Sequence, residues 1–104
     1  MAQPSILELT GRIDNATSAD IQARIGSVLD AEPSALVLDL TGVTFVSSIG
    51  LRVLLQTAKR CHKQNARLAL HSVSQQVVSL FGVSGLTPIF PVFDSREAAL
   101  AAIA

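Results

Sequence analysis

Apolar and polar positions along this 104-residue chain switch repeatedly between two periods. Short apolar runs of strand length fall at 6–13, 35–40, 67–71 and 89–93. Between and after them, apolar residues recur at helical spacing and predict helices near 17–30, 48–63, 74–83 and 95–103. This alternation is typical of an α/β domain. We predict a central, mostly parallel or mixed sheet of about four strands with about four helices.

Three of the predicted strands carry a local signal beyond their period. The consecutive apolar residues Leu36, Val37 and Leu38 indicate burial on both faces, as in a central parallel strand. Gly11 predicts a bend in the first strand. Pro91 has no N–H to donate, so the last strand is expected to be an edge strand or to end early.

Composition and charge narrow the class of protein. Hydrophobic residues make up 49% of the chain and charged residues 15%, which is typical of a folded domain. Eight basic residues balance eight acidic ones, so no direct nucleic-acid partner is predicted. The lone Cys61, the absence of a signal-peptide pattern and the absence of a long apolar run predict a cytoplasmic protein without a membrane partner. We expect a single domain over residues 1–104.

Two adjacent serines, Ser47 and Ser48, lie between the second strand and the helix near 48–63. Serines there can cap a helix, act as nucleophiles or accept a phosphate. Ser48 precedes the apolar Ile49 and is predicted as the N-cap. That role is compatible with phosphorylation, because a helix N-terminus has unpaired N–H groups and favours negative charge.

Catalytic and metal chemistry find little support. Neither a G-x-S-x-G elbow nor a glycine-rich phosphate loop is present. His62 lies 14 positions beyond Ser48 on one predicted helix, hence about 20 Å away, and His71 is expected to pack or cap at a strand end. Cys61 points away from His62. We therefore predict no catalytic residues, no cofactor and no metal site, and a small serine hydrolase is the least favoured interpretation.

Two aspartates fall at the predicted carboxyl edge of the sheet. Asp14 and Asp39 each come at the end of a predicted strand, and Ser48 follows the second of these strands. Open α/β sheets place their functional sites at this edge. We therefore expect Asp14 and Ser48 to lie on the same edge.

Three stretches together resemble the STAS domain, and more narrowly the stand-alone bacterial anti-sigma factor antagonists: GRIDNATSADIQARI, LVLDLTGVTFVSSIGLRVLLQTAKR and PVFDSREAALAAI. The most specific part is 36–55. The family pattern there is an apolar strand ending D-L-[ST]-G-V, then an aromatic residue, then D-S-S-G-L with a helix. Residues 39–43, DLTGV, match it. The resemblance implies a STAS-like fold.

The chain departs from the family pattern in two places. It reads SSIGL at 47–51, which is similar to a subgroup with S-S-A-G-L-R. The family's phosphoacceptor, two residues before the glycine, maps onto Ser48, with Ser47 as the alternative; the family's G-x-[IL]-D aspartate maps onto Asp14. Family members usually have one more strand at the start, whereas only about five residues precede Ile6. The adjoining sheet edge is expected to be open.

The resemblance implies a protein-binding switch and not an enzyme. Unphosphorylated family members bind an anti-sigma factor, often itself a serine kinase; phosphorylation ends the binding and a serine phosphatase restores it. The partner-binding residues are expected to be Asp14, Ser47, Ser48, Gly50 and Arg52. The alternative is a STAS subunit of a transporter complex that regulates an ATPase; such members often lack the phosphorylatable serine.

Overall fold

The computed structural model describes residues 3–103. Within them, four strands and four helices alternate: β1 (Pro4–Ile13), α1 (Ser18–Asp30), β2 (Ala35–Val46), α2 (Ser48–Lys63), β3 (Arg67–His71), α3 (Gln75–Val83), β4 (Val92–Phe93) and α4 (Arg96–Ile103). The strands form one parallel sheet in the order β1-β2-β3-β4. The predicted α/β fold is confirmed, and each predicted helix lies within one residue of its observed bounds.

The two faces of the sheet are covered by different helices, because side chains alternate along each strand. On β2, Leu36 and Leu38 face the main core. Helices α1, α2 and α3 contribute to that core Ile21, Ile25, Leu29, Val53, Leu54, Cys61, Val77 and Phe81. Val37 points to the opposite face, where it packs with Ala69 of β3 and Ala99 of α4. The burial of β2 on both faces agrees with its predicted central position.

Strand β2 is longer than predicted. Its pairing with β3 ends at Asp39, but its pairing with β1 continues to Val46. Strand β1 follows it through two register shifts, and Gly11 has a left-handed φ of 75° at the bend. Three of the four residues from Thr41 to Thr44 are threonine or glycine, so the sequence pattern did not predict this part of β2. Pairing with β1 maintains it as a strand. The β1–β2 pair therefore extends beyond the rest of the sheet and ends beside α2.

Strand β4 is shorter than the predicted run 89–93, since it comprises only Val92–Phe93. Pro91 cannot donate to the ladder, although its carbonyl oxygen accepts a hydrogen bond of 2.8 Å from the N–H of Leu70. At the other side of the sheet, β1 pairs only with β2 among residues 3–103, as expected for an edge strand.

None of the helices in residues 3–103 is long and apolar enough to span a membrane.

Asp39 is level with His71, the last residue of β3. It does not end its own strand, however; contrary to the prediction, it lies inside β2, on the face that α4 covers. The error follows from the underestimated length of β2. The Asp39 carboxylate, 5% exposed, accepts hydrogen bonds from the Thr41 hydroxyl at 2.6 Å and the Thr41 N–H at 2.9 Å. Nη2 of Arg96 on α4 donates to its other oxygen at 3.0 Å. Asp39 therefore ties α4 to the sheet.

These contacts set the charge state of Asp39. Hydrogen bonds from the Thr41 side chain and backbone and from Arg96 lower the pKa of the Asp39 carboxyl, although burial opposes them. His71 packs nearby, 3% exposed, with Nε2 3.9 Å from the carboxylate and Nδ1 2.9 Å from the Ser72 hydroxyl. The predicted packing role of His71 at a strand end is confirmed.

Replacing Asp39 by asparagine should lower the free energy of unfolding by about 1–3 kcal/mol, because hydrogen bonds to a charged, buried group are lost or weakened. Asp30→Asn is the matched control. Asp30 pairs with Arg60 at 2.6 Å, but its side chain is 73% exposed, so we expect a change below about 0.5 kcal/mol. Urea denaturation at neutral pH measures both values. Equal losses in the two variants would contradict an anchoring role for Asp39.

The stability of the unmodified protein should also depend on pH through Asp39. Because folding lowers the pKa of this carboxyl, its contribution is present above the unfolded value, about 3.9, and is lost as pH falls through the folded pKa. Asp39→Asn should therefore lose less stability than the unmodified protein between pH 5 and strongly acidic pH. Urea midpoints measured across that range test the sign, and parallel curves would argue against it.

Candidate functional site

Helix α2 begins at the end of the β1–β2 pair, and its N-cap is Ser47. The Ser47 hydroxyl oxygen accepts a hydrogen bond from the N–H of Gly50 at 3.1 Å. Its backbone N–H donates to the carbonyl oxygen of Ile13, the last residue of β1, at 2.9 Å. The predicted N-cap, Ser48, was wrong by one residue. Both serines have a suitable hydroxyl, and only the backbone path out of β2 decides which one caps the helix.

Ser48 is the first residue of α2 and is exposed. Its hydroxyl makes no hydrogen bond with any other side chain or backbone group in residues 3–103, whereas the Ser47 hydroxyl both accepts from Gly50 and donates to Ile13 at 3.3 Å. The two neighbouring hydroxyls therefore differ in availability. Ser47 is committed to the fold, and Ser48 is free to react.

Gly50, which was predicted as a partner-binding residue, is buried in the first turn of α2. A Cβ atom at this position would overlap the carbonyl oxygen of Ile13 and would lie 3.0 Å from Cγ1 of Val46. Only glycine lets the first turn of α2 lie this close to β1. Gly50 therefore helps to position Ser48.

Asp14 follows β1 directly, and its carboxylate accepts three hydrogen bonds, the longest of them from the Thr17 hydroxyl at 3.4 Å. Nε of Arg12 donates to Oδ2 at 3.0 Å, and the N–H of Ala16 donates to Oδ1 at 3.0 Å. The hydrogen bond from the Arg12 side chain, together with that from Ala16, lowers the pKa of the Asp14 carboxyl. Asp14 is therefore a negative charge of defined orientation at neutral pH.

A shallow surface cavity of about 520 Å³ joins these elements. It is lined by Arg12, Asp14, Asn15, Ala16, Phe45, Ser47, Ser48 and Ile49. Asp14 and Ser48 thus share one cavity at one edge of the sheet, as expected from their positions after the first and second strands. Arg52 is exposed one helical turn beyond Ser48, outside the lining of this cavity.

Five of the eight lining residues were not among the predicted site residues, and two of these five, Arg12 and Phe45, contact each other. They are register partners across the β1–β2 pair, and Cζ of Arg12 lies 4.3 Å from the centroid of the Phe45 ring. Such a distance is typical of a cation–π contact. A signal for Arg12 was available, since it lies two positions before Asp14, the spacing that puts side chains on one face of an extended chain.

Both histidines lie away from this cavity. His62 is exposed near the end of α2, and His71 is buried beside Asp39 on the α4 face. Among residues 3–103, the cavity lining therefore offers no histidine base to either serine.

Comparison with known proteins agrees with this fold. The profile of the STAS domain family matches residues 2–99, and the chain belongs to this family. It is 37% identical over 94 residues to BtrV of Bordetella bronchiseptica, named as an anti-sigma factor antagonist, covering 90% of this chain and 81% of BtrV. The anti-sigma-F factor antagonist RsfB of Mycobacterium tuberculosis is 32% identical over 101 residues, covering 95% of this chain and 80% of RsfB.

A solved structure extends the likeness to three dimensions. The anti-sigma factor antagonist from Mycobacterium paratuberculosis superposes with a TM-score of 0.87 at 29% sequence identity. The superposition covers 96% of this chain and 85% of the other. The resemblance to the STAS domain therefore holds for nearly the whole chain.

Gly50→Ala should destabilise the protein by about 1–3 kcal/mol, because the added methyl group must displace α2 from the Ile13 carbonyl. Gly82→Ala is the matched control. Gly82 is also helical, but its added Cβ would meet nothing closer than Oγ1 of Thr87 at 3.8 Å. Helix propensity predicts a gain of roughly 0.5–1 kcal/mol there. Urea denaturation compares the two, and a tolerated Gly50→Ala would contradict the close contact.

Proposed function

We propose that this chain is an anti-sigma factor antagonist controlled by phosphorylation of Ser48. Unphosphorylated, it binds an anti-sigma factor that is also a serine kinase; phosphorylated, it releases that partner. The observation that carries the proposal is the free, exposed hydroxyl of Ser48 beside a neighbour whose hydroxyl is engaged. The names of the related proteins support the same class of partner.

The chemistry asks little of the chain itself. The kinase transfers the γ-phosphoryl group of ATP to Oγ of Ser48, the hydroxyl proton is lost and ADP leaves. A serine phosphatase hydrolyses the phosphate ester and regenerates the hydroxyl. The modification adds a charge of about −1.5 to −2 at neutral pH. At the first residue of α2 this charge is compatible with the fold, because the helix N-terminus favours negative groups.

The partner-binding surface combines an apolar centre with charged neighbours. Ile49 is 40% exposed next to Ser48, and the ionised Asp14 and the exposed Arg52 flank it. An exposed apolar residue surrounded by polar groups is typical of a protein interface. A phosphate in this position would have to lose water on docking while lying close to another negative charge. Both effects oppose binding of the partner.

Phosphate-site mapping tests which serine is modified. We expect the cognate kinase with ATP to phosphorylate Ser48 and to leave Ser47 unmodified, because the Ser47 hydroxyl is held by Gly50 and Ile13. Ser48→Ala should abolish incorporation. Ser47→Ala should keep it, at a loss of about 1 kcal/mol in folding stability from the missing cap.

Tandem mass spectrometry of the modified peptide reads the position. Partner proteins captured from the native cell supply the kinase and identify the anti-sigma factor. Phosphate found only on Ser47 would contradict the assignment of the modification to Ser48. Capture of an ATPase and a membrane transporter, with no modification of either serine, would favour the transporter-subunit alternative.

Binding measurements test the switch. Ser48→Asp should weaken binding of the anti-sigma factor about tenfold or more, because a charged group then loses solvent in the interface. Ser48→Ala should bind within about threefold of the unmodified protein, since the native hydroxyl makes no other side-chain or backbone hydrogen bond in residues 3–103. Isothermal titration calorimetry compares them, with circular dichroism as the control for folding. A folded Ser48→Asp variant that binds as tightly as Ser48→Ala would refute the switch.

A further inference from the structure

The guanidinium of Arg12 is held at the cavity by two weak contacts. It donates to the Asp14 carboxylate at 3.0 Å and lies over the Phe45 ring at 4.3 Å. Its side chain is 60% exposed, and ion pairs this exposed contribute little free energy. A stronger anion in the same cavity can therefore take Arg12 away from Asp14. Ser48 lines that cavity, so a phosphate on Ser48 would be such an anion.

A second arginine, Arg52, lies one helical turn after Ser48 on α2. It follows Ser48 by four residues on α2, so the two side chains share one face of the helix. Long side chains on a helix lean toward its N-terminus, which directs Arg52 back toward Ser48. Arg52 is exposed and makes no ion pair with any residue in 3–103. A second guanidinium is thus available at the same position.

We propose that Arg12 and Arg52 together bind the phosphate group of phosphorylated Ser48, and that Arg12 exchanges Asp14 for it. This inference rests on the proposed phosphorylation of Ser48. A phosphate offers three acceptor oxygens and nearly two negative charges, against two oxygens and one charge on a carboxylate. Guanidinium groups bind phosphate through paired hydrogen bonds. The exchange therefore favours the phosphate over Asp14.

The exchange changes the surface beyond the added charge. Asp14 loses the arginine that neutralises and orients it, and the Phe45 ring loses the guanidinium that covers it. Arg52 is drawn toward the helix start and away from the rim where it would meet a partner. The chain thereby binds the phosphate within itself. The partner then meets a rearranged surface in addition to a more negative one.

The phosphate itself reports its neighbours, because a nearby cation stabilises the dianion and lowers its second pKa. The groups facing it are Arg12 and Arg52, which lower that pKa, and Asp14, which raises it. Phosphoserine can be installed at position 48 during translation, so the test needs no cognate kinase. The pKa is read from the ³¹P chemical shift as pH is varied.

Arg12→Gln and Arg52→Gln should each raise the second pKa of the phosphate by about half a unit, as expected for partly exposed charge pairs. Arg12→Lys, which keeps the charge, should raise it less than Arg12→Gln. Arg67→Gln is the matched control: Arg67 begins β3, at the opposite edge of the sheet, and donates to the carbonyl of Ala102. It should leave the phosphate pKa unchanged.

A second readout follows Asp14 directly. The pKa of its carboxyl is lowered first of all by the hydrogen bond from Arg12. Phosphorylation should raise that pKa, observed through the ¹³C shift of the side-chain carboxyl. The phosphate also raises that pKa by direct repulsion, so the exchange predicts a larger rise in the chain with Arg12 than in Arg12→Gln, where no hydrogen bond from Arg12 is lost. Circular dichroism of every variant controls for folding.

An unchanged phosphate pKa in Arg12→Gln, or a rise of the Asp14 pKa on phosphorylation that is equal with and without Arg12, would overturn the exchange. An unchanged phosphate pKa in Arg52→Gln would overturn the two-arginine site. None of these results would touch the proposed function, which fails on a different measurement: phosphorylated protein that still binds the anti-sigma factor as tightly as unmodified protein.

Discussion

The carbonyl group of Ile13 is the point on which the geometry of the site depends. It ends β1, accepts a hydrogen bond from the N–H of Ser47 at 2.9 Å, and lies against Gly50. One oxygen thus joins the edge strand to the start of α2. Asp14 comes immediately after this carbonyl and Ser48 immediately after the residue bonded to it. The two residues share a cavity because their neighbours in sequence share this contact.

The same contact gives two adjacent serines different structural roles. The Ser47 hydroxyl donates to the carbonyl of Ile13 in β1 and accepts from the N–H of Gly50, one of the N–H groups at the helix start that have no partner within the helix. Ser48 is the first residue of α2 and is exposed, and its hydroxyl makes no hydrogen bond within residues 3–103. A modification of Ser48 can therefore change the surface while the cap and the core stay intact. If the modified serine were instead the N-cap, a phosphate on it would disrupt the cap and destabilise the start of the helix.

Much of this arrangement could be predicted from the sequence, because the hydrophobic period of each segment and the order of the elements along the chain can be read from it directly. The helix bounds, the central position of β2 and the shared edge of Asp14 and Ser48 followed from them. The length of β2 and the interior position of Asp39 could not, since both depend on pairing with β1 across register shifts. The choice of Ser47 as the cap depends in the same way on a contact with another strand.

The carboxylates Asp14 and Asp39 show why residue type alone does not reveal a site. Both have lowered pKa values, and both contact an arginine at 3.0 Å. Asp39 is nearly inaccessible and its arginine comes from α4, so the pair serves the attachment of a helix. The arginine of Asp14 is itself mostly exposed and comes from only two residues away, so this pair holds no separate elements together. A charged pair that the fold does not need is the kind that a new charge on Ser48 can rearrange.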